Sequence, residues 1–156
     1  MSEAFEELRD LYQEVILDHG RHPRNFRRLD GALHAKGNNP MCGDKVEVWL
    51  KLGAGERIED AAFQGRGCAI SIASASLMTE VLRGKTKDEA RSLADAFRTL
   101  ARTGTCPVCG EVHADDIERL QPLSGVAEYP SRVKCATLAW HAMEAALKGE
   151  GSATTE

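Results

Sequence analysis

The sequence predicts one domain of the α+β class, with a small antiparallel sheet of about three strands packed against four to six helices. The chain has 156 residues, 42% of them hydrophobic, which is enough for one core of ordinary size. One segment alternates apolar and polar residues as a half-buried strand does, while others show helical periodicity. No segment repeats at a fixed period, and this excludes a solenoid.

Helical patterns mark four long segments. In each of them either apolar residues recur every three or four positions or small residues dominate, and a glycine or proline lies at one end. Ser131 follows Pro130 and is a candidate N-cap for the last helix, because its hydroxyl can accept from a free backbone N–H. The expected helices cover 3–19, 70–83, 87–102 and 131–147, with a short one at 115–121.

The expected strands all lie before residue 65. Residues 44–52 alternate strictly, with valines and leucines on one face and mostly charged residues on the other, so that one face of the sheet is wet. A Gly-Ala-Gly-Glu connection at 53–56 returns the chain through 58–64, and 32–36 is a candidate third strand. Residues 1–148 are expected to form the domain, and 149–156 a flexible C-terminal tail.

Charge and hydropathy exclude several functional classes. The net charge is −4, so no basic surface dominates and nucleic-acid binding is not expected. No apolar run is long enough to span a membrane, and the first residues lack the blocks of a signal peptide. We therefore expect a cytoplasmic protein with no membrane partner. Five cysteines, an odd number, argue against a disulfide framework and for metal or sulfur chemistry.

Three of these cysteines lie at bends or helix ends. Cys42 comes just before the alternating strand, and Gly43 lets the backbone turn Cys42 and Asp44 toward one point. Cys68 follows a Gly-x-Gly bend at a helix start, where free amides stabilise a thiolate. Cys135 falls in or next to the first turn of the last helix. Three thiolates and a carboxylate suit zinc or a small iron–sulfur centre, although each cysteine taken singly could also be core packing.

Three ordered motifs surround these residues: Asn39-Pro40-Met41-Cys42-Gly43-Asp44, then Gly65-Arg66-Gly67-Cys68-Ala69-Ile70-Ser71-Ile72-Ala73-Ser74-Ala75-Ser76, then Arg132-Val133-Lys134-Cys135-Ala136-Thr137-Leu138-Ala139-Trp140. Together they resemble the U-type iron–sulfur cluster assembly proteins, the family of IscU, the NifU N-domain and SufU. The likeness covers nearly everything from Leu8 to Leu147. It implies a compact SufE/NifU-like α+β domain with a metal site at one end.

Two features favour the SufU-like branch of this family. The position before the third cysteine, usually a histidine in IscU, is Lys134, whose charged ammonium has no lone pair for a metal. The span from Cys68 to Cys135 is also longer than in IscU. The resemblance to SufU implies a zinc-containing sulfurtransferase that accepts persulfide sulfur from a SufS-like cysteine desulfurase and serves downstream iron–sulfur assembly proteins or apo-proteins. It implies the zinc ligands Cys42, Asp44, Cys68 and Cys135, with Cys42 as the sulfur acceptor.

Two other functions remain open at this point. The same site could hold iron or a transient [2Fe–2S] cluster, as in a scaffold for cluster assembly and transfer. The chain could also be a zinc-stabilised binding module without turnover. Arg132 is a candidate contact for a thiolate or a partner, and the alternative is a solvated charge at the helix start.

A Cys-x-x-Cys turn within the longer span is not explained by the resemblance. Cys106 and Cys109 enclose a Pro-Val pair, as in the knuckle of a zinc ribbon where two thiolates chelate one metal. His113 could be a third ligand. Asp115 or Asp116 could be a fourth. A second metal site, a loop with exposed or redox-active thiols, and an alternative sulfur relay are all compatible with this motif.

Overall fold

The computed structural model describes residues 3–40, 43–105 and 113–154. In these ranges it confirms the predicted α+β class, with five α-helices, four strands and two short 3-10 helices. The helices are α1 (Glu3–Arg21), α2 (Ala69–Leu82), α3 (Lys87–Thr103), α4 (Ala114–Leu120) and α5 (Pro130–Leu147), and the 3-10 helices are Ala54–Glu56 and Gln121–Glu128. The strands are β1 (Leu33–Asn39), β2 (Asp44–Leu52), β3 (Ile58–Arg66) and β4 (Ser152–Thr154).

The sheet has the strand order β3-β2-β1-β4. Strands β1, β2 and β3 pair antiparallel, as predicted. The predicted alternation in β2 is present in part, since Val48 and Leu50 are fully buried while Lys45 and Lys51 are exposed. Trp49, predicted on the exposed face, is buried instead, and the Arg28 guanidinium lies 5.9 Å from its ring centroid. One face of these strands therefore packs on the core.

The fourth strand was not predicted, because three residues are too few to show a periodic pattern. It lies within the segment expected to be a tail and pairs parallel with β1, placing Ala153 opposite Gly37. A backbone N–H of Lys36 also donates to the carbonyl of Gly151 at 2.9 Å. The domain boundary at 148 and the flexibility of 149–156 stay predictions.

The helices cover the inner face of the sheet. Helix α5 contacts β1 and β2, α2 contacts β3 and α5, and α1 and α3 pack on α2 and α5 respectively. Trp140 is fully buried, stacks on Phe97 with ring centroids 4.7 Å apart, and donates its indole N–H to Ser74 Oγ at 3.2 Å. These contacts join α2, α3 and α5, so the starts of α2 and α5 keep a defined relation to the sheet.

The start of α5 differs from the prediction. Tyr129 is the N-cap residue and Pro130 the first helical residue, so the prediction that Ser131 caps this helix is wrong. The physical reason is that proline suits the first helical turn, where its missing N–H breaks no helical hydrogen bond. Cys135 consequently lies in the second turn, where its Sγ donates to the carbonyl of Ser131 at 3.6 Å.

None of the described helices is both long and apolar enough to cross a membrane. The cytoplasmic location and the absence of a membrane or nucleic-acid partner stay predictions.

Candidate metal centre

The candidate centre lies at the end of the sheet where β1 finishes, β2 begins and β3 leads into α2. Asn39, the last residue of β1, pairs with Asp44, the first of β2. Lys45 pairs with Arg66 at the end of β3, so the bend that follows brings Cys68, the N-cap residue of α2, next to Asp44. Residues distant in sequence thus meet through strand register.

Three of the predicted ligands come together here. One oxygen of Asp44 and the sulfur atoms of Cys68 and Cys135 all lie within 4.8 Å of one another. In residues 3–40, 43–105 and 113–154 this is the one group of three or more His, Cys, Asp or Glu side chains placed to hold a metal. A single cation could contact all three atoms.

The Asp44 carboxylate is fully buried, and its surroundings fit a cation. Its Oδ1 accepts from the backbone N–H of Cys68 at 3.0 Å, and its Oδ2 lies 4.0 Å from Cys68 Sγ. A buried carboxylate is costly unless it is paired, well hydrogen-bonded or bound to a metal. Two sulfurs and one oxygen match the preferences of zinc, whereas magnesium and calcium require oxygen ligands. The donor set therefore fits the zinc that the resemblance implies.

Gly67 provides the space for this carboxylate. A Cβ atom at this position would lie 2.2 Å from Asp44 Oδ1, well inside van der Waals contact. Gly65 plays a similar part for the backbone, because a Cβ there would lie 2.4 Å from the carbonyl oxygen of Lys45. The two glycines of the bend before Cys68 thus allow β3 to approach β2 closely and leave room for a ligand.

Sequence reasoning missed Asn39 as a member of the site. This side chain is fully buried, and its Nδ2 donates to Cys135 Sγ at 3.6 Å. The one signal that could have indicated it is its position at the start of the first motif, directly before Pro40. A polar residue at the end of a strand gives no further hint that it points inward.

Arg132 faces two of the thiols from the exposed side of the site. The pKa of the Arg132 guanidinium is raised, first by the charge that Cys68 carries when it is a thiolate, then by a hydrogen bond with Cys135 and the charge of Cys135 in the same form. This arrangement supports the contact with a thiolate that the sequence suggested. Its role toward a partner stays a prediction.

The remaining predicted site residues have different outcomes. Cys42, Cys106 and Cys109 lie outside the described residues, so their predicted roles are untested. His113 is buried at the N-cap position of α4, with its Nε2 2.8 Å from Ser92 Oγ on α3. This contact fastens α4 to α3, and the second metal or redox site stays a prediction.

Comparison with known proteins tests the family. The family model described as NifU-like N terminal domain matches residues 11–149. The chain belongs to this family. The predicted resemblance to U-type assembly proteins is confirmed.

Two similar relatives in the NifU-like family are named for different functions, one as a scaffold protein and one as a sulfurtransferase. The chain is 40% identical over 150 residues to an iron–sulfur cluster assembly scaffold protein IscU of Streptococcus pyogenes serotype M1, covering 96% of this chain and 91% of the relative. It is 39% identical over 142 residues to the zinc-dependent sulfurtransferase SufU of Bacillus subtilis strain 168, covering 90% and 91%.

A solved structure of the same family supports the fold. It is a proposed iron–sulfur cluster assembly scaffold protein for the SUF system from Fervidobacterium islandicum AW-1, with a TM-score of 0.74 and 33% identity. The match covers 86% of this chain and 94% of the other. The NifU-like fold found here is therefore shared over almost the whole length of both proteins.

Proposed function

We propose that this protein acts in iron–sulfur cluster assembly as a zinc-containing sulfur acceptor, which takes persulfide sulfur from a cysteine desulfurase. The observation that carries the proposal is the approach of Asp44, Cys68 and Cys135 ligand atoms to within 4.8 Å of one another. The 39% identity to a protein named as a zinc-dependent sulfurtransferase supports it. The partners would be a SufS-like desulfurase and downstream assembly proteins or apo-proteins in the cytoplasm.

Zinc would be held by the buried carboxylate and by thiolates from α2 and α5. When bound, zinc keeps its cysteine ligands deprotonated at neutral pH. Asp44 and Cys68 are also tied to each other by the backbone N–H of Cys68, which orients the carboxylate before any metal arrives. Hydrogen bonds to a metal ligand of this kind orient the ligand and tune the affinity of metal sites.

Cys42 completes the proposed ligand set and is the proposed sulfur acceptor. It is two residues from Asp44, so chain length alone keeps its Cα within about 7 Å of the Asp44 Cα. The N–H of Gly43 donates to the carbonyl of Asn39 at 2.9 Å, which closes the short connection between β1 and β2. We propose that the Cys42 thiol reaches both the metal and an approaching donor.

The proposed chemistry is a thiolate–persulfide exchange. The Cys42 thiolate attacks the outer sulfur of the desulfurase persulfide, and a new S–S bond forms on Cys42. The S–S bond of the donor breaks, and the desulfurase cysteine leaves as a thiolate, so that no net oxidation or reduction occurs. Arg132 lies beside the thiols of Cys68 and Cys135, and its positive charge would favour the approach of an anionic persulfide.

Mass spectrometry of each cysteine tests this proposal directly. After incubation with a cysteine desulfurase and cysteine, we expect a persulfide on Cys42, and we expect Cys42→Ala to abolish stimulation of the desulfurase. Cys109→Ser is the matched control, because it removes a thiol outside the proposed ligand set. Sulfur found on another cysteine, with full activity of Cys42→Ala, would refute the proposal.

Cluster scaffolding is the second candidate, because a relative of 40% identity is named as a scaffold protein. Its substrate would be a [2Fe–2S] cluster assembled at the same ligands. Visible absorption after anaerobic reconstitution with iron and sulfide separates the two functions, since zinc is d¹⁰ and gives no such bands. A stable coloured cluster on the protein would favour the scaffold.

A further inference from the structure

We propose that Asn39 is a positioning residue of the metal centre, which holds Cys135 as the retained and least nucleophilic thiolate through an N–H···S hydrogen bond. The inference rests on the metal site proposed above. The hydrogen bond from Asn39 makes the cysteine ligands unequal in nucleophilicity. The identity of the ligands alone does not predict this. Sulfur delivered to the centre is thereby directed away from Cys135.

Asn39 and Cys135 contact each other in the buried part of the site. The Nδ2 of Asn39 lies 3.6 Å from Cys135 Sγ, across the gap between the end of β1 and helix α5, and both side chains are fully buried. The other amide orientation would place an oxygen acceptor against the sulfur. Once Cys135 is a thiolate, two acceptors would repel each other, so the donor orientation is the stable one.

Metal binding would change the hydrogen bonds of Cys135. As a thiol, Cys135 donates to the carbonyl of Ser131 at 3.6 Å. A metal-bound thiolate has no proton to donate, so this contact is lost and the Asn39 N–H becomes a charge-assisted donor to sulfur. The asparagine therefore interacts more favourably with the metal-bound state than with the protonated one.

Cys68 has different surroundings from Cys135. The Sγ of Cys68 lies 4.0 Å from a carboxylate oxygen of Asp44, and its side chain is partly exposed whereas Cys135 is fully buried. Arg132 forms a hydrogen bond with each of the two sulfurs, so the buried amide donor of Asn39 is the contact that distinguishes Cys135. Hydrogen bonds from N–H groups withdraw charge from a sulfur ligand and tune its reactivity. Cys135 combines this donor with burial, and both features protect it from electrophiles.

The side-chain carbonyl of Asn39 is not satisfied by the part of the chain that the structure describes. Its buried Oδ1 has no hydrogen-bond partner within the described ranges 3–40, 43–105 and 113–154. A buried amide with an unsatisfied oxygen is costly. An apolar residue would avoid that cost, which indicates that the N–H group itself has a use at this position.

The test compares Asn39→Leu and Asn39→Ala with Asn38→Ala as the matched control. Leucine keeps the volume without a donor, alanine removes both, and Asn38 is an exposed asparagine on the neighbouring position of β1. Zinc-loaded proteins are alkylated with iodoacetamide, and the modification of each cysteine is followed by mass spectrometry. We expect Cys135 to react more slowly than Cys68 in the wild type, and several times faster in both Asn39 variants.

Two further readouts separate positioning from general damage to the fold. In cobalt-substituted protein the sulfur-to-metal charge-transfer band should move to lower energy in the Asn39 variants, and zinc affinity should fall by about 10–100-fold. NMR of cadmium-substituted wild-type protein should show coupling between the Asn39 side-chain N–H and the metal, a measurement that needs no variant.

Failure of the proposed function and failure of the role given to Asn39 would produce different results. If the wild type binds no metal at Cys135, the proposed function fails as well. If it binds metal, but both Asn39 variants keep the wild-type band, affinity and order of alkylation, only the role of Asn39 is refuted.

Discussion

Gly67 is the residue at which the site leaves least room for any side chain. The nearest atom to a Cβ there would be Asp44 Oδ1 at 2.2 Å, so the carboxylate must move if the position is substituted. The same carboxylate accepts from the backbone N–H of Cys68. Movement of Asp44 therefore disturbs two ligands at once.

Gly67→Ala is expected to weaken zinc binding by about 10–100-fold, as is typical when the surroundings of a metal ligand are disturbed. Overpacking should lower the free energy of unfolding of the metal-free protein by about 1–3 kcal/mol. Gly125→Ala is the control, because nothing lies within 4 Å of a Cβ there. Chelator competition and urea unfolding measure the two effects, and equal zinc affinity in both variants would contradict this account of Gly67.

At the scale of elements, the contact between α1 and α2 depends on a buried histidine. His19 Nδ1 lies 2.7 Å from Ser76 Oγ, which also accepts from the backbone N–H of Arg24 at 2.9 Å. Burial is the main cause that lowers the pKa of His19, and the charge of Arg24 acts in the same direction against that of Glu80. The folded protein therefore favours a neutral ring.

This lowered pKa predicts a pH-dependent stability. The ordinary pKa is 6.5, and below it the unfolded chain binds the proton more readily than the folded one. The free energy of unfolding should thus be fully retained above pH 6.5 and should fall as the pH is lowered toward the folded-state pKa.

Chemical unfolding between pH 5 and pH 8 tests this effect within the range where histidine titrates. His19→Gln should show a smaller loss of stability on acidification than the wild type, whereas the exposed His22→Gln should behave like the wild type. Burial also lowers the pKa of His141, so some dependence should remain. An unchanged slope in His19→Gln would contradict the role given to this ring.

At the scale of the whole molecule, the long elements were accessible from the sequence because they are periodic. The spacing in α3 follows from which face of the helix is buried. In α1 the helix is present, but the predicted apolar stripe is not fully buried, since Leu11 is 58% exposed. The parallel strand β4 and the 3-10 helix at Gln121–Glu128 were not predicted. Their structure depends on contacts with β1 and α3, which no local pattern contains.

In the candidate site, too, some features could be predicted from the sequence and others depend on tertiary contacts. Asp44, Cys68 and Cys135 could be named from residue type and position, because thiols at bends and helix ends suggest chemistry. Their separation could not be derived, since it arises from the pairing of β2 with β3 and the packing of α5 on the sheet. The inward direction of Asn39 likewise follows from its pairing with Asp44 in the β1–β2 ladder.

The most direct test of the central claim is the zinc content of anaerobically purified protein and of its Cys68→Ser and Cys135→Ser variants. Ligands from α2 and α5 should serve one shared ion, so each single variant is expected to lose one zinc per chain relative to the wild type while Cys109→Ser keeps that ion. If both variants retain the wild-type zinc content, the two sulfurs do not share a metal and the account is contradicted.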